Sequence, residues 1–331
     1  MKTANEVLRR IFTKHLQGFA ILFCCFLFNA HAESWPTKPL KLVIPFPPGG
    51  GSDVVGRIIA NQLSSILGQQ IVVDNRGGAG GSIGTEFAVR ANPDGYTLLL
   101  ASTSEIAVNP ALYPLNYSTV NDLIAIGAVA TTPMMIISAS AFPAKTIREL
   151  IDLARRRPTD INVASAGSGT ISHLSAELFK NMNNLKWTHV PYKGTGPALA
   201  DLMGDQVQLM FAPPPPVLGL IKSGKVNLIA VSGKSRMAAF PDTPTVLESS
   251  ESNYVVDNWY GIFVPAKTPR EIVQKLSEAI DKALKTPEVI ASLTAQGAAP
   301  GEMGMNQFPD YVKAEVDKWS AVIKAADVKK D

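Results

Sequence analysis

The chain has 331 residues, 46% of them hydrophobic and 18% charged, which is enough apolar material for one or two cores and excludes a disordered protein. Its 31 basic and 28 acidic residues form no basic excess of the kind nucleic-acid binding needs, so no nucleic-acid partner is expected. Even that small excess sits at the start of the chain: removing Lys2, Arg9, Arg10, Lys14 and Glu6 leaves 27 residues of each sign.

Those four basic residues precede an uninterrupted apolar run from Phe19 to Phe28. Ala30-His31-Ala32 then puts small residues at the two positions a signal peptidase reads. The run is shorter than the roughly 20 apolar residues of a spanning helix. Residues 1–32 therefore read as a cleaved secretory signal, and the mature protein is expected in the periplasm. Cys24 and Cys25 both lie in this segment, so the mature chain has no disulfide, thiol chemistry or thiolate metal site.

Strand-like and helix-like segments then alternate. Leu40–Phe46 reads as a buried strand, Val54–Leu67 as a helix ending near Gly68, and Gln70–Asp74 as a strand. A glycine-rich stretch leads into a helix through Arg90, and Pro93-Asp94-Gly95 turns the chain into a third strand. Further on, strands are expected at Met134–Ser138, Ile161–Ala164, Trp187–Val190, Val207–Phe211, Val226–Val231 and Tyr260–Val264. Helices are expected at Ile147–Arg156, Leu174–Met182, Pro197–Gly204, Val217–Ser223, Arg270–Leu284 and Phe308–Ala326. This alternation predicts an α/β architecture with largely parallel sheets. The length fits two lobes, and the absence of a linker implies that the chain crosses between them more than once. The apolar runs at Thr132–Ser138 and Asn253–Val264 are the candidate crossings.

The first strand-to-helix junction reads "PFPPGGGSDVVGR", residues 45–57. Gly49, Gly50 and Gly51 clear side chains from backbone that a ligand could approach, and Asp53 is placed to cap the helix by accepting from Val55 or Gly56. Free N–H groups at a helix start favour an anion, although the same residues also make an ordinary βα turn. No lysine follows the glycines, so this is not a Walker loop, and Gly50-Gly51-Ser52-Asp53-Val54 fails the G-x-S-x-G pattern at its last position. A second junction, Ser165-Ala166-Gly167-Ser168-Gly169-Thr170, has the same grammar, with Thr170 or Ser172 as the cap. Two such ends on opposing lobes would clamp a negatively charged molecule. The third cluster, Gly77 to Gly84, misses the dinucleotide fingerprint by one residue and reads as a close-packed turn.

Five segments in order carry a specific resemblance: "WPTKPLKLVIPFPPGGGSDVVGR", "VVDNRGGAGGSIGTEFAVRANPDGYTLLLAS", "SAGSGTISHLSAELF", "THVPYKGTGPALADLMGDQVQLMF" and "FPDTPTVLES…WYGIFVPAKTP". Together, over essentially the whole mature chain, they resemble the Bug-type extracytoplasmic solute receptors of tripartite tricarboxylate transporters. The resemblance implies a two-lobed type II periplasmic binding fold, each lobe a mixed, largely parallel sheet flanked by helices. Residues 33–131 with 254–331 would form lobe 1, and 132–253 lobe 2. It also implies a small carboxylate ligand (dicarboxylate, tricarboxylate or aromatic acid), membrane permease subunits as partners, a monomer and no cofactor. Carried onto this chain, the family's ligand contacts fall on Pro47, Gly49, Gly50, Gly51, Ser52 and Asp53, and on Ser165, Ala166, Gly167, Ser168, Gly169 and Thr170. Ser102, Thr103 and Tyr192 are further candidates. The chain departs from the pattern at Ala212, which is followed by Pro213–Pro216 where many relatives carry an acid or polar residue, and this edge favours a less polar ligand.

Catalysis has little to draw on. After the signal, the only histidines are His173 and His189, without HxxxH or HExxH spacing, so no metal site is read. Ser168 and His173, five residues apart, do not match a triad arrangement. A solute receptor is the expectation. A periplasmic sensor feeding a membrane signalling protein would carry the same loops, and an exported hydrolase is the remaining alternative.

Overall fold

The computed structural model describes residues 35–250 and 253–325; the expected signal segment with its cysteines lies outside them. Among the described residues no helix is long and apolar enough to cross a membrane. The strands are β1 (Leu40–Ile44), β2 (Ile71–Asn75), β3 (Thr97–Ser102), β4 (Leu123–Pro133), β5 (Met135–Ala139) and β6 (Asn162–Ser165). They continue with β7 (Thr188–Pro191), β8 (Leu209–Ala212), β9 (Val226–Val231), β10 (Asp257–Pro265) and β11 (Ala299–Pro300). Two sheets form, in the orders β11-β4-β10-β3-β1-β2 and β7-β6-β8-β5-β9.

Both sheets are mixed. β1 pairs in parallel with β2 and β3, and β6 with β7 and β8. The pairings of β10 with β3 and β4, of β4 with β11, and of β5 with β8 and β9 are antiparallel. Parallel pairing is thus a smaller share than expected. The cause lies in the connections: β5 and β10 each arrive from the other sheet, so neither is joined to a neighbour in its own sheet by the helical crossover that makes strands parallel.

The elements follow from their residues. β1 and β3 are buried on both faces and read as continuous apolar runs. β1 stops at Ile44 because Pro45 cannot donate to the ladder. The first long helix begins at Gly51, three residues earlier than expected, with Gly50 as its N-cap. Glycine is tolerated there because a first turn makes no intrahelical N–H bond of its own. Each sheet has an aromatic core. Trp259, Phe263 and Phe308 fill the first, where Glu315 accepts from the indole N–H of both Trp259 (3.2 Å) and Trp319 (3.1 Å). Phe179, Trp187, Phe211 and Tyr254 fill the second.

The two crossings between sheets meet at one residue. Met134 alone separates β4 from β5, and the return passes through Val256 into β10. Fully buried Ser232, one residue beyond β9, ties both. Its hydroxyl accepts from the Met134 N–H at 2.6 Å and donates to the Val256 carbonyl. Its backbone donates to the Met134 carbonyl and accepts from the Val256 N–H. Replacing Ser232 with alanine leaves a buried donor and a buried acceptor without a partner. Ser232→Ala is expected to cost about 2 kcal/mol or more in urea unfolding, the usual penalty for such groups.

Candidate functional site

Between the two sheets lies a cleft of roughly 600 Å³, mouth included, within the range of small-molecule sites. Three helix starts face it. The β1 junction brings Phe46, Pro47, Pro48, Gly50, Gly51 and Ser52, with the helix Gly51–Leu67 behind them. The β6 junction brings Ala166, Ile171 and Ser172, with the helix Ile171–Met182. The β7 junction brings Gly194, Thr195, Gly196 and Pro197 at the head of the helix Thr195–Met203. Ser102 ends β3 and Ser104 follows it, Pro213 follows β8, and Asn258 and Tyr260 come from β10.

Among the described residues no lysine, arginine or histidine lines this cleft. Its positive potential comes from backbone. Intrahelical bonding in the first helix starts with Val54 N–H to the Gly50 carbonyl, so the amides of Gly51, Ser52 and Asp53 have no intrahelical acceptor. In the second helix the Ile171 N–H is taken by the Ser104 hydroxyl oxygen at 2.8 Å, a bond that joins the two walls. The Tyr113 hydroxyl donates to the Ser168 carbonyl at 2.6 Å and joins them again at the rim. Phe46, Pro47, Pro48, Pro197 and Pro213 supply apolar surface, so the site offers anion-attracting ends and a hydrocarbon-lined body.

Of the residues singled out in the sequence, Pro47, Gly50, Gly51, Ser52, Ser102 and Ala166 line the cleft. The others do not line it. Asp53 does not cap the helix through Val55 or Gly56, because it sits inside the first turn. It accepts instead from the Gly49 N–H (3.0 Å), the Arg57 guanidinium (3.0 Å) and the Asn75 amide (3.0 Å). Asn75 also donates to the Phe46 carbonyl at 3.0 Å, so this cluster fixes the whole loop. Burial pushes the Asp53 carboxyl up, but the bonds from Arg57, Gly49 and Asn75 outweigh it and hold it below the ordinary value. Thr103 accepts from the Trp259 N–H. Thr170 caps the second helix by accepting from the His173 N–H, as expected. Gly167 and Gly169 take positive φ, +139° and +76°, to form the turn beneath it. Buried Ser165 contacts His189 Nε2 at 2.7 Å and the Gly167 carbonyl. Tyr192 turns its hydroxyl to Asp201 at 2.6 Å; burial and that carboxylate push the phenol up to about 12.

Sequence reasoning missed Ser104, Gly194–Pro197, Asn258, Tyr260 and, one layer back, Glu105. Gly194-Thr195-Gly196-Pro197 repeats the strand–glycine–helix grammar of the other two junctions and was legible on that signal. Glu105 was not. It sits in a fully buried π-helical turn, Ser104–Val108, where its Oε2 accepts from the Ser102 hydroxyl at 2.6 Å and the Ser102 N–H at 3.2 Å. Its Oε1 has no hydrogen-bond partner among the described residues. Burial pushes this carboxyl up to about 7, against the lowering effect of the Ser102 hydroxyl, Glu105's own backbone N–H and the Ser102 N–H. The third glycine cluster is a packed turn: a Cβ on Gly84 would lie 2.5 Å from the Arg76 carbonyl oxygen and 2.8 Å from Pro45.

The family model of the tripartite tricarboxylate transporter family receptor matches residues 55–328. The chain belongs to this receptor family. Protein BugT of Bordetella pertussis is 34% identical over 300 residues, 90% of this chain and 92% of that protein. An R. palustris protein solved with adipate shares the fold at TM-score 0.87 and 32% identity, covering 90% of this chain and all of that one (100%). MatC from Rhodopseudomonas palustris, solved with bound malate, gives TM-score 0.83 and 31% identity over 87% of this chain and 100% of its own. The receptor therefore has the two-lobed fold of periplasmic binding proteins.

Two consequences are measurable. Asp53→Ala in this receptor releases the Gly49 amide, Arg57 and Asn75 together, and is expected to destabilise it by about 2 kcal/mol in chemical unfolding. Glu105 holds its proton to higher pH when folded than the ordinary value of 4.5, so stability falls as pH rises from 4.5 to about 7. Glu105→Gln removes this dependence. Relative to the wild type it should gain about 3 kcal/mol between pH 4.5 and pH 8, read from unfolding at both ends.

Proposed function

We propose that this receptor captures a small carboxylate (a dicarboxylate, tricarboxylate or aromatic acid) and delivers it to a membrane permease. The observation that carries the reading is the convergence of three helix starts on one cleft with no basic side chain in its wall. Such a site suits an anion whose charge is delocalised over oxygens and whose body is apolar. The adipate and malate in the two R. palustris structures support the same class. Residues 33–131 with 254–331 form lobe 1 and 132–253 lobe 2, and the ligand is held between them by Pro47, Gly50, Gly51, Ser52, Ser102 and Ala166, which line the cleft. The Gly194–Pro197 start joins these contacts, while Asp53 and Thr170 act by holding their loops.

The protein works in the periplasm as a monomer after removal of residues 1–32. It binds and releases its ligand unchanged. Ser165, which meets His189 at 2.7 Å, is buried and outside the cleft wall, so it is a turn-forming serine and no nucleophile.

Titration calorimetry and thermal shift of the mature chain with adipate, malate, citrate and benzoate test the proposal. At least one acid should bind and raise the melting temperature. Binding of neutral compounds with none of the acids would overturn it. Gly51 supplies a sharper probe, because a Cβ there would lie 2.7 Å from the Tyr260 hydroxyl oxygen and 3.1 Å from the Pro213 ring. Gly51→Val is expected to weaken acid binding by about a hundredfold, or some 3 kcal/mol, while the chain remains folded.

A further inference from the structure

Ser102 stands between the cleft and Glu105. It lines the cleft, and its hydroxyl donates to Glu105 Oε2 at 2.6 Å. A serine hydroxyl has one proton to donate. While Glu105 is ionised, that proton points away from the cleft, and a ligand carboxylate arriving at Ser102 meets oxygen lone pairs with a negative charge behind them. With a proton on Glu105 the pair can reverse: the carboxyl donates to Ser102 Oγ, and the Ser102 proton turns to the ligand.

We propose that the Glu105–Ser102 pair makes capture proton-coupled, Glu105 taking up one proton from solvent as an anionic ligand settles against Ser102. This rests on the carboxylate reading of the cleft and goes beyond it. One O–H bond forms on the Glu105 carboxyl while the buffer acid or water that supplies the proton loses its bond to it, and the proton returns to solvent when the ligand leaves. Two observations support the coupling besides the Ser102 bond. Glu105 is fully buried with one oxygen lacking a partner, so its charge is poorly compensated. Its carboxyl also stands at about 7, where a nearby anion can tip it to the neutral form.

The titratable groups acting around it do not compensate it. Tyr117, before β4, and Tyr260 of β10 feel the Glu105 charge and are both pushed up, mainly by their own burial. Glu86, on the helix Ser82–Val89, acts on Tyr117 and adds negative charge. The helix Phe308–Ala325 packs on the same π turn, but its Glu315 is bound to Trp259, Trp319 and Lys318. Asn109, just beyond the turn, donates to the Gly80 carbonyl.

The experiment is calorimetry of the mature chain with adipate and malate in buffers of different ionisation enthalpy. The expected result at pH 8, where both acids are fully ionised, is uptake of close to one proton per ligand, falling toward none as Glu105 becomes protonated beforehand at lower pH. Affinity should drop by up to about tenfold per pH unit above 7. Glu105→Gln, which can donate to Ser102 from its amide, should bind with a flat pH profile and no proton uptake. Tight binding by the wild type at pH 8 with no proton uptake overturns the coupling and leaves the receptor reading intact. An equally steep pH profile in a folded Glu105→Gln overturns the assignment to Glu105. Failure of every acid to bind overturns the receptor reading and the coupling with it.

Discussion

Backbone amides that a helix cannot satisfy for itself govern this molecule. Each helix leaves its first N–H groups without internal acceptors, and three helices bring those groups to one cleft between two sheets. The surrounding structure serves to hold them there. Glycines and prolines keep side chains off the amides, and the Asp53–Arg57–Asn75 cluster fixes the loop before the first helix. A charge that might have repelled an anion is thereby turned into a fastening, because Asp53 faces a guanidinium and two N–H donors instead of the cleft.

The sheets impose the second constraint. Their parallel halves carry the strand ends that launch the three helices, while the antiparallel halves carry the crossings between sheets. Ser232 binds both crossings at once, so the junction on which the two walls would turn is a closed set of hydrogen bonds with no loose linker. The bonds from Ser104 to Ile171 and from Tyr113 to Ser168 hold the opposite side of the cleft. The walls are thus fastened by four hydrogen bonds around Ser232 at the crossings and by two separate polar contacts elsewhere, which are weaker than packed cores and easier to exchange.

Much of this was legible in the residues. The alternation of apolar strands with amphipathic helices marked most elements, and the glycine junctions marked two of the three helix starts. β4 was missed because "LIAIGAVATTP" is buried almost throughout and rich in alanine and glycine, which erases the period of two that marks a strand. The π turn at Ser104–Val108 escaped for a related reason: no residue in "SEIAV" marks a departure from ordinary helix. Tyr260 and Asn258 enter the cleft through β10, a strand more than 150 residues from β3 in sequence, and only pairing brings them to Ser102. Glu105 was hidden as well, since burial of an acid is a property of the fold and leaves no sign in the neighbouring residues.

A wall built from dipoles has a short reach. The field of a helix end fades within about one turn, whereas a lysine or arginine at the mouth would project charge across a Debye length of about 8 Å. The lining itself therefore contributes little to steering a ligand from afar. Discrimination begins only when the anion is already inside, next to bare N–H groups.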